Sequence, residues 1–438
     1  MIGWSEPARG AQRDARRTFW TGALIVTLAV AVAAAAPDWN VGLAGSYRAV
    51  LTSPGGELPF RLTFVQGRSL TASVENGPET VPFSTVEVHG DTITLRFDAY
   101  DSEIVARIDP SDHSLHGTWT KQAGKERPSM PFAATRTGDP HAPRFGPRSA
   151  PPGDASLPDV TGAWDVVFED EQGESAARGE FQQKGSTLLG TFLTPTGDYR
   201  YLEGDYGDGV LRLSCFDGGH AFLFVAHART DGALAGDFWS RTASHATWRA
   251  TRVQSRTGAM PDSFGLTSIK NPSGRLHFTF PDLDGHPVSL GEPRFRGKVV
   301  LVDLFGSWCP NCNDQAPVLA DLYRRYHDRG LDIVGLAYEM TGDRERDAVY
   351  VRKYAERHHI VYPLLLAGTS DKSEASETLP DLSGVLAFPT LVFVARDGKV
   401  RGIHTGFEGP GTGAHFTDLK GRYEALIEEL LAAPKPPR

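Results

Sequence analysis

Residues 297–317 read "GKVVLVDLFGSWCPNCNDQAP", and this stretch decides the fold of the C-terminal part of the chain. Its first half is a continuous apolar run of the kind found in a strand buried on both faces. A helix follows, from Pro310 to about Asp328, stopped by Gly330. Two of the chain's three cysteines, Cys309 and Cys312, stand at the turn between strand and helix. A helix N-terminus presents unpaired N–H groups and about half a positive charge, which stabilises a thiolate there. The thiolate is the attacking species in disulfide exchange. Cys309, at the mouth of the turn, is expected to be exposed and to attack. Cys312, one turn in, is expected to be covered and to resolve the mixed disulfide.

Downstream, "LDIVGLAY" (331–338) reads as a strand, "ERDAVYVRKYAERHH" (345–359) as a helix and "IVYPLLL" (360–366) as a strand. A hairpin in "PTLVFVARDGKVRGIHTG" turns at Arg396-Asp397-Gly398, and "FTDLKGRYEALIEELLAA" closes the domain as a helix. Strand, helix and strand followed by an antiparallel hairpin make an α/β domain with a mixed central sheet and flanking helices, spanning 276–434.

Upstream the pattern is different. Two segments, 44–136 and 161–252, look like diverged copies of each other. One opens "GSYRAVL" and closes "PFAATR"; the other opens "GAWDVVF" and closes "WRATR". Both consist of short alternating strands broken by turn signals, such as the hairpin about His89-Gly90-Asp91 in "TVEVHGDTITLRF". The chain is therefore expected to be multidomain, with two duplicated all-β domains (barrel or sandwich) before the α/β domain. Residues 137–160 and 253–275, rich in Pro, Gly, Ser and Asp, read as linkers. Trp119, Trp164, Trp239 and Trp248 alternate with polar residues and read as core. Cys215 reads as a small buried strand residue, its rival reading being an intermolecular or docking thiol. His358 and His359 read as solvated.

Residues 1–36 carry Arg16-Arg17 and an apolar run from Phe19 to Ala36, the parts of a secretory signal or of an uncleaved membrane anchor. This predicts a protein outside the cytoplasm, in the periplasm or cell envelope. The formal net charge of -9 argues against nucleic-acid binding. Three cysteines are too few for a disulfide scaffold. A zinc site would need two further ligands, and a c-type haem would need His where Asn313 follows Cys312. No metal or cofactor is expected.

"VDLFGSWCPNC", with "FPDLDGHPVSL" and "FRGKVVLVDLF" before it, resembles the thioredoxin superfamily and within it the TlpA/ResA-like thiol-disulfide oxidoreductases of bacterial envelopes. Trp308 precedes the first cysteine, Pro317 falls at the family's helix proline, and Phe388-Pro389 in "AFPT" matches its cis-proline. The resemblance implies a redox disulfide between Cys309 and Cys312. It implies a substrate groove at Trp308, Phe388, Pro389 and Thr390, and catalytic roles for Asp303 and Glu339, buried acids that take the proton of Cys312. It implies disulfide-bearing envelope proteins as substrates, with apocytochrome c a candidate, and a membrane thiol-transfer protein as electron donor. Pro-Asn between the cysteines offers no cation to favour the thiolate, so a reductase is expected. Two other readings stay open: a ligand- or partner-binding envelope protein whose redox domain docks or senses, and a peroxiredoxin-like peroxidase, against which Gly306 stands three residues before Cys309 where such enzymes carry Thr or Ser.

Overall fold

The computed structural model describes residues 42–122, 127–139, 142–146, 159–253 and 260–434. The N-terminal apolar run and parts of both linkers lie outside the described residues. The described residues fall in one compact unit.

Nine strands, β1 (Gly45–Ser53), β2 (Gly56–Gln66), β3 (Leu70–Asn76), β4 (Glu79–Pro82), β5 (Thr85–His89), β6 (Thr92–Phe97), β7 (Ser102–Ile108), β8 (Leu115–Lys121) and β9 (Ser129–Arg136), make the first sheet among the described residues. It is an antiparallel meander in which β9 returns to pair with β1. Side chains alternate in and out, so Tyr47, Ala49 and Leu51 of β1 are buried while their neighbours are not. The turn expected at His89-Gly90-Asp91 is present, with His89 opposite Thr92 and Gly90 at φ +59°.

The second sheet repeats this order with β10 (Gly162–Asp170), β11 (Gly173–Lys184), β12 (Thr187–Thr194), β13 (Gly197–Asp198), β14 (Leu202–Gly207), β15 (Val210–Phe216), β16 (Ala221–Ala228), β17 (Leu234–Ser240) and β18 (Ser244–Arg252). Pairing of β10 with β18 and of β11, through β12, with β14 closes it into a barrel. Closure removes the exposed edges that an open sheet leaves. Both sheets end on the same device. Arg252 sits 4.7 Å over the Trp164 ring and donates to the carbonyls of Thr161 (2.8 Å) and Asp159. Arg136 likewise donates to the carbonyls of Gly42 (3.2 Å) and Ala44, and is paired across the strands with Tyr47 as Arg252 is with Trp164.

The barrel's interior is filled by aromatic rings, including Phe192 stacked on Phe224 (4.7 Å) and Phe224 on Phe238 (4.4 Å). Trp164, Trp248 and Cys215 lie in this core, and Trp119 in that of the first sheet. Trp239 is only partly buried, against the first sheet's core. The two cores meet at Phe216, whose ring packs on Phe60 (4.5 Å) and Trp119 (5.4 Å). Residues 137–160 were expected to bury little, yet Arg144 within them is buried between the two sheets.

In the C-terminal part, β21 (Val299–Phe305) follows a short hairpin of β19 (Thr279–Pro281) and β20 (Pro287–Ser289). All seven residues of β21 are buried, as the apolar run predicts. It is the centre of a five-stranded mixed sheet completed by β22 (Leu331–Glu339), β23 (Leu364–Thr369), β24 (Thr390–Val394) and β25 (Val400–Thr405), in the order β23-β22-β21-β24-β25. β22 and β23 run parallel to β21; β24 is antiparallel to β21 and β25 to β24. Helices α1 (Pro310–Tyr326), α2 (Arg344–Arg357), α3 (Lys372–Thr378) and α4 (Ala414–Ala432) accompany it. β23 begins later than the sequence suggests, at Leu364, because Pro363 has no N–H to give to the ladder.

Candidate active site

The end of β21 and the start of α1 place the two cysteines. Cys309 is the N-cap of α1 in extended conformation (φ −90°, ψ 120°), and Pro310 takes the first helical position, where a missing N–H costs nothing. The Cys309 Sγ accepts the Cys312 backbone N–H at 3.4 Å and lies 3.5 Å from the Phe388 carbonyl, to which its S–H donates. Both residues are thiols here. Cys312 is 1% exposed, as expected, but Cys309 is also covered, at 6%. Burial, with the contact to Cys309, pushes the Cys312 thiol well above its usual range. It needs a base to become the resolving nucleophile.

Asp303, on β21, is the acid expected to serve as that base, and its charge bears on the Cys312 thiol. Its side chain is 3% exposed, and burial pushes its carboxyl up to about 8. One neighbour works against this rise: Gln315 Nε2 donates to Oδ1 at 2.9 Å. Beneath Gln315 the Tyr423 hydroxyl lies 3.4 Å from Oε1 and 2.7 Å from His404 Nδ1, so a chain of buried polar groups holds the amide towards Asp303. Sequence reading missed Gln315, Tyr423 and His404. Gln315 stood within reach, since it follows Cys312 by three residues and shares its helix face; the other two enter from the far end of the chain.

Glu339, at the end of β22, accepts from both the backbone N–H and the hydroxyl of Ser307, each at 2.8 Å. Burial raises its carboxyl to about 7. It braces the loop two residues before Cys309. Trp308 donates its indole N–H to the Tyr338 carbonyl (2.9 Å) and meets Phe388 edge-on at 6.1 Å. The Phe388–Pro389 peptide bond is cis. Thr390 departs from the expectation of a substrate contact: it is fully buried and its hydroxyl donates to the Ala387 carbonyl at 2.8 Å. His358, read as solvated, instead packs on Tyr354 and lies 2.8 Å from Asn313 Oδ1, and burial lowers it to about 4. Tyr354 in turn donates to the Cys312 carbonyl at 2.9 Å, a contact the sequence did not suggest.

A dithiol at a helix N-terminus, a buried acid near its second thiol and, against its first, the carbonyl of Phe388, which precedes the cis-proline, define a thioredoxin-like oxidoreductase site. Residues 270–420 match the Redoxin family. The thiol-disulfide oxidoreductase ResA of Halalkalibacterium halodurans is 22% identical over 161 residues, which is 37% of this chain and 75% of that protein. The ResA protein of Bacillus thuringiensis subsp. konkukian is 28% identical over 125 residues, and the match spans 28% of this chain and 63% of that relative's length. Among solved structures, a thioredoxin-family thiol:disulfide interchange protein from Chlorobium tepidum is 22% identical, covering 36% of this chain and 95% of that one with a TM-score of 0.28. The C-terminal domain belongs to the thioredoxin superfamily and is ResA/TlpA-like.

Proposed function

We propose that the chain reduces disulfides of proteins outside the cytoplasm by dithiol-disulfide exchange at Cys309 and Cys312. The observation that carries this reading is the buried Cys312 thiol, one turn past the Cys309 N-cap whose sulfur its N–H meets, and near enough to the buried Asp303 carboxyl to feel its charge. The Cys309 thiolate attacks one sulfur of the substrate disulfide, whose other sulfur leaves as a thiolate and takes up a proton. Asp303 accepts the Cys312 proton, and the Cys312 thiolate attacks the Cys309 sulfur. The mixed disulfide breaks, the second substrate thiol departs, and two electrons have passed from the protein to its substrate. A donor dithiol then reduces the Cys309–Cys312 disulfide; a membrane thiol-transfer protein fits that role, and apocytochrome c is a candidate substrate.

The apolar run at Phe19 to Ala36 supports export or tethering; no helix among the described residues is long and apolar enough to cross a membrane. The matching strand order and closing arginines support reading the two β sheets as copies of one unit. The buried acids support the reductase direction, because negative charge nearby disfavours the thiolate.

Cys312→Ser should trap substrates as mixed disulfides on Cys309, seen as adducts that a reducing gel removes, while Cys309→Ser should form none. If the Cys312→Ser protein collects no adduct in cells and the wild type does not reduce insulin, the reading fails. A reduction potential near about −270 mV is expected for the pair, and one near about −120 mV, the range of strong oxidants, would reverse the direction.

A further inference from the structure

The barrel formed by the second sheet touches the redox motif itself. Arg200, in the loop between β13 and β14, is 5% exposed and has φ +59°, so a non-glycine residue is held in the left-handed region. Its guanidinium joins three parts of the chain. It pairs with Glu79 of the first sheet, with Asp217 of the second (2.9 Å), and with Asp314, two residues past Cys312 on α1. It also reaches the carbonyl of Pro310, between the two cysteines, at 3.5 Å.

The backbone follows the same path. Asp198 accepts from the Arg200 N–H and, with its other oxygen, from Gly409 N–H, each at 2.6 Å. A Cβ at Gly197 would meet the end of the Asn311 side chain, and one at Gly406 has no room because the Thr196 backbone lies on it. On the other flank a Cβ at Gly219 would come within 2.8 Å of Pro310 Cγ. Barrel backbone is thus laid along both sides of the turn that carries Cys309. The space left beside Trp308 is a cleft of about 330 Å³, its open mouth included, walled by Tyr100 and Asp101 on one side and by Met340 and Tyr350 on the other.

Asp314 stands in the first turns of α1, two residues past Cys312, where an unpaired carboxylate works against a thiolate at the helix N-terminus, and the Arg200 guanidinium pairs it. Other charges stand near: Asp217 also holds His220 at 3.1 Å, and the buried Lys121 donates to the Gly219 carbonyl at 2.7 Å, with Arg241 nearby.

We propose that Arg200 is a positioning and specificity-determining residue of the redox site. It clamps the 195–200 loop as a wall against the Cys309–Cys312 turn and balances the charge of Asp314. The site then admits a disulfide on an extended, unfolded segment in preference to one set in a folded surface. This rests on the reductase reading given above, but its first test does not.

Alkylation of Cys309 by iodoacetamide, mapped by mass spectrometry across pH, separates wall from charge in the full chain. Arg200→Ala should raise the plateau rate by about tenfold as the wall opens, since a thiol reacts only when exposed. It should also move the midpoint up by about one pH unit as the compensating charge is lost. Asp314→Asn should move the midpoint the other way, down by about one pH unit, and Arg200→Lys should restore part of both effects. A general loosening of the fold would shift both variants alike. Shifts in the same direction, or none, overturn the electrostatic role, and an unchanged plateau overturns the wall.

For selection, the rate on a linear cystine peptide is compared with that on native insulin. Wild type should favour the peptide and Arg200→Ala should narrow the ratio; an equal ratio in both overturns the specificity. If wild type reduces neither probe, the reductase reading falls, while the alkylation result decides the placement of Arg200 by itself.

Discussion

Asp303→Asn should make the protein more stable at alkaline pH and slow to release its mixed disulfides. The sign follows from burial. A carboxyl raised from an ordinary value of 3.8 to about 8 is favoured in its protonated form by the folded state. The stability it contributes is therefore fully present below about pH 4, falls as the pH climbs towards 8, and stays low above that. Each tenfold change in proton affinity is worth about 1.4 kcal/mol, so the ionised group costs on the order of a few kcal/mol at pH 9. Asparagine is neutral throughout and still accepts from Gln315 Nε2, so the variant should lack this decline. Urea unfolding at pH 5, 7 and 9 measures it: wild type loses stability across the series relative to Asp303→Asn. Parallel curves would mean that Asp303 is not held as a buried, raised acid.

The kinetic half has the opposite sign. Without its carboxylate the variant cannot take the proton of Cys312, whose thiol burial holds high. General-base catalysis of this kind is worth about 10²–10⁴-fold, and decay of a mixed disulfide formed in advance on Cys309 should slow by that order. In wild type the same decay should accelerate as the pH rises through about 8. The same substitution thus raises stability and lowers turnover, a pairing that a merely structural residue would not give.

Local chemistry made much of this legible. A run of six apolar residues interrupted by one acid reads as a buried strand, and β21 is that strand, with Asp303 buried in it. Gly90 and Gly330 marked their turns because left-handed backbone selects glycine, and both have positive φ. What stayed hidden was long-range pairing. Arg200 and Asp314 are 114 residues apart, and nothing in either neighbourhood names the other. The same holds for His404, bonded to the Tyr423 hydroxyl beneath Gln315, and for Phe216, a barrel residue whose ring completes the other sheet's core. Thr390 was misread because its neighbour Pro389 matched a family pattern, while its own hydroxyl was claimed by the adjacent Ala387 carbonyl. Strand periodicity showed where the β segments begin and end, but not that they would be built into the wall of a redox site.

Arg144→Met should be among the most destabilising single changes outside the redox domain. Arg144 lies in the segment joining the two sheets, and its buried guanidinium donates to Glu203 Oε2 (2.8 Å) of the second sheet and to the Glu75 carbonyl (2.6 Å) of the first. It reaches the Ser214 carbonyl as well, at 3.1 Å. Methionine fills much of the volume but satisfies none of these oxygens. Glu203 would keep the Gly77 N–H at 2.8 Å and a longer pair to Arg61 at 3.4 Å, which is too little for a carboxylate so far from water. Breaking a buried pair by removing one partner costs about 3–5 kcal/mol, whereas replacing both partners by apolar groups is often near neutral. Glu203→Met added to Arg144→Met should therefore recover much of the loss, and chemical denaturation of the four proteins in the cycle gives the coupling directly. Additive losses would show that the two side chains act separately. Strong coupling would make the Arg144–Glu203 pair a working joint between the two sheets, so that the linker is part of the fold rather than a tether.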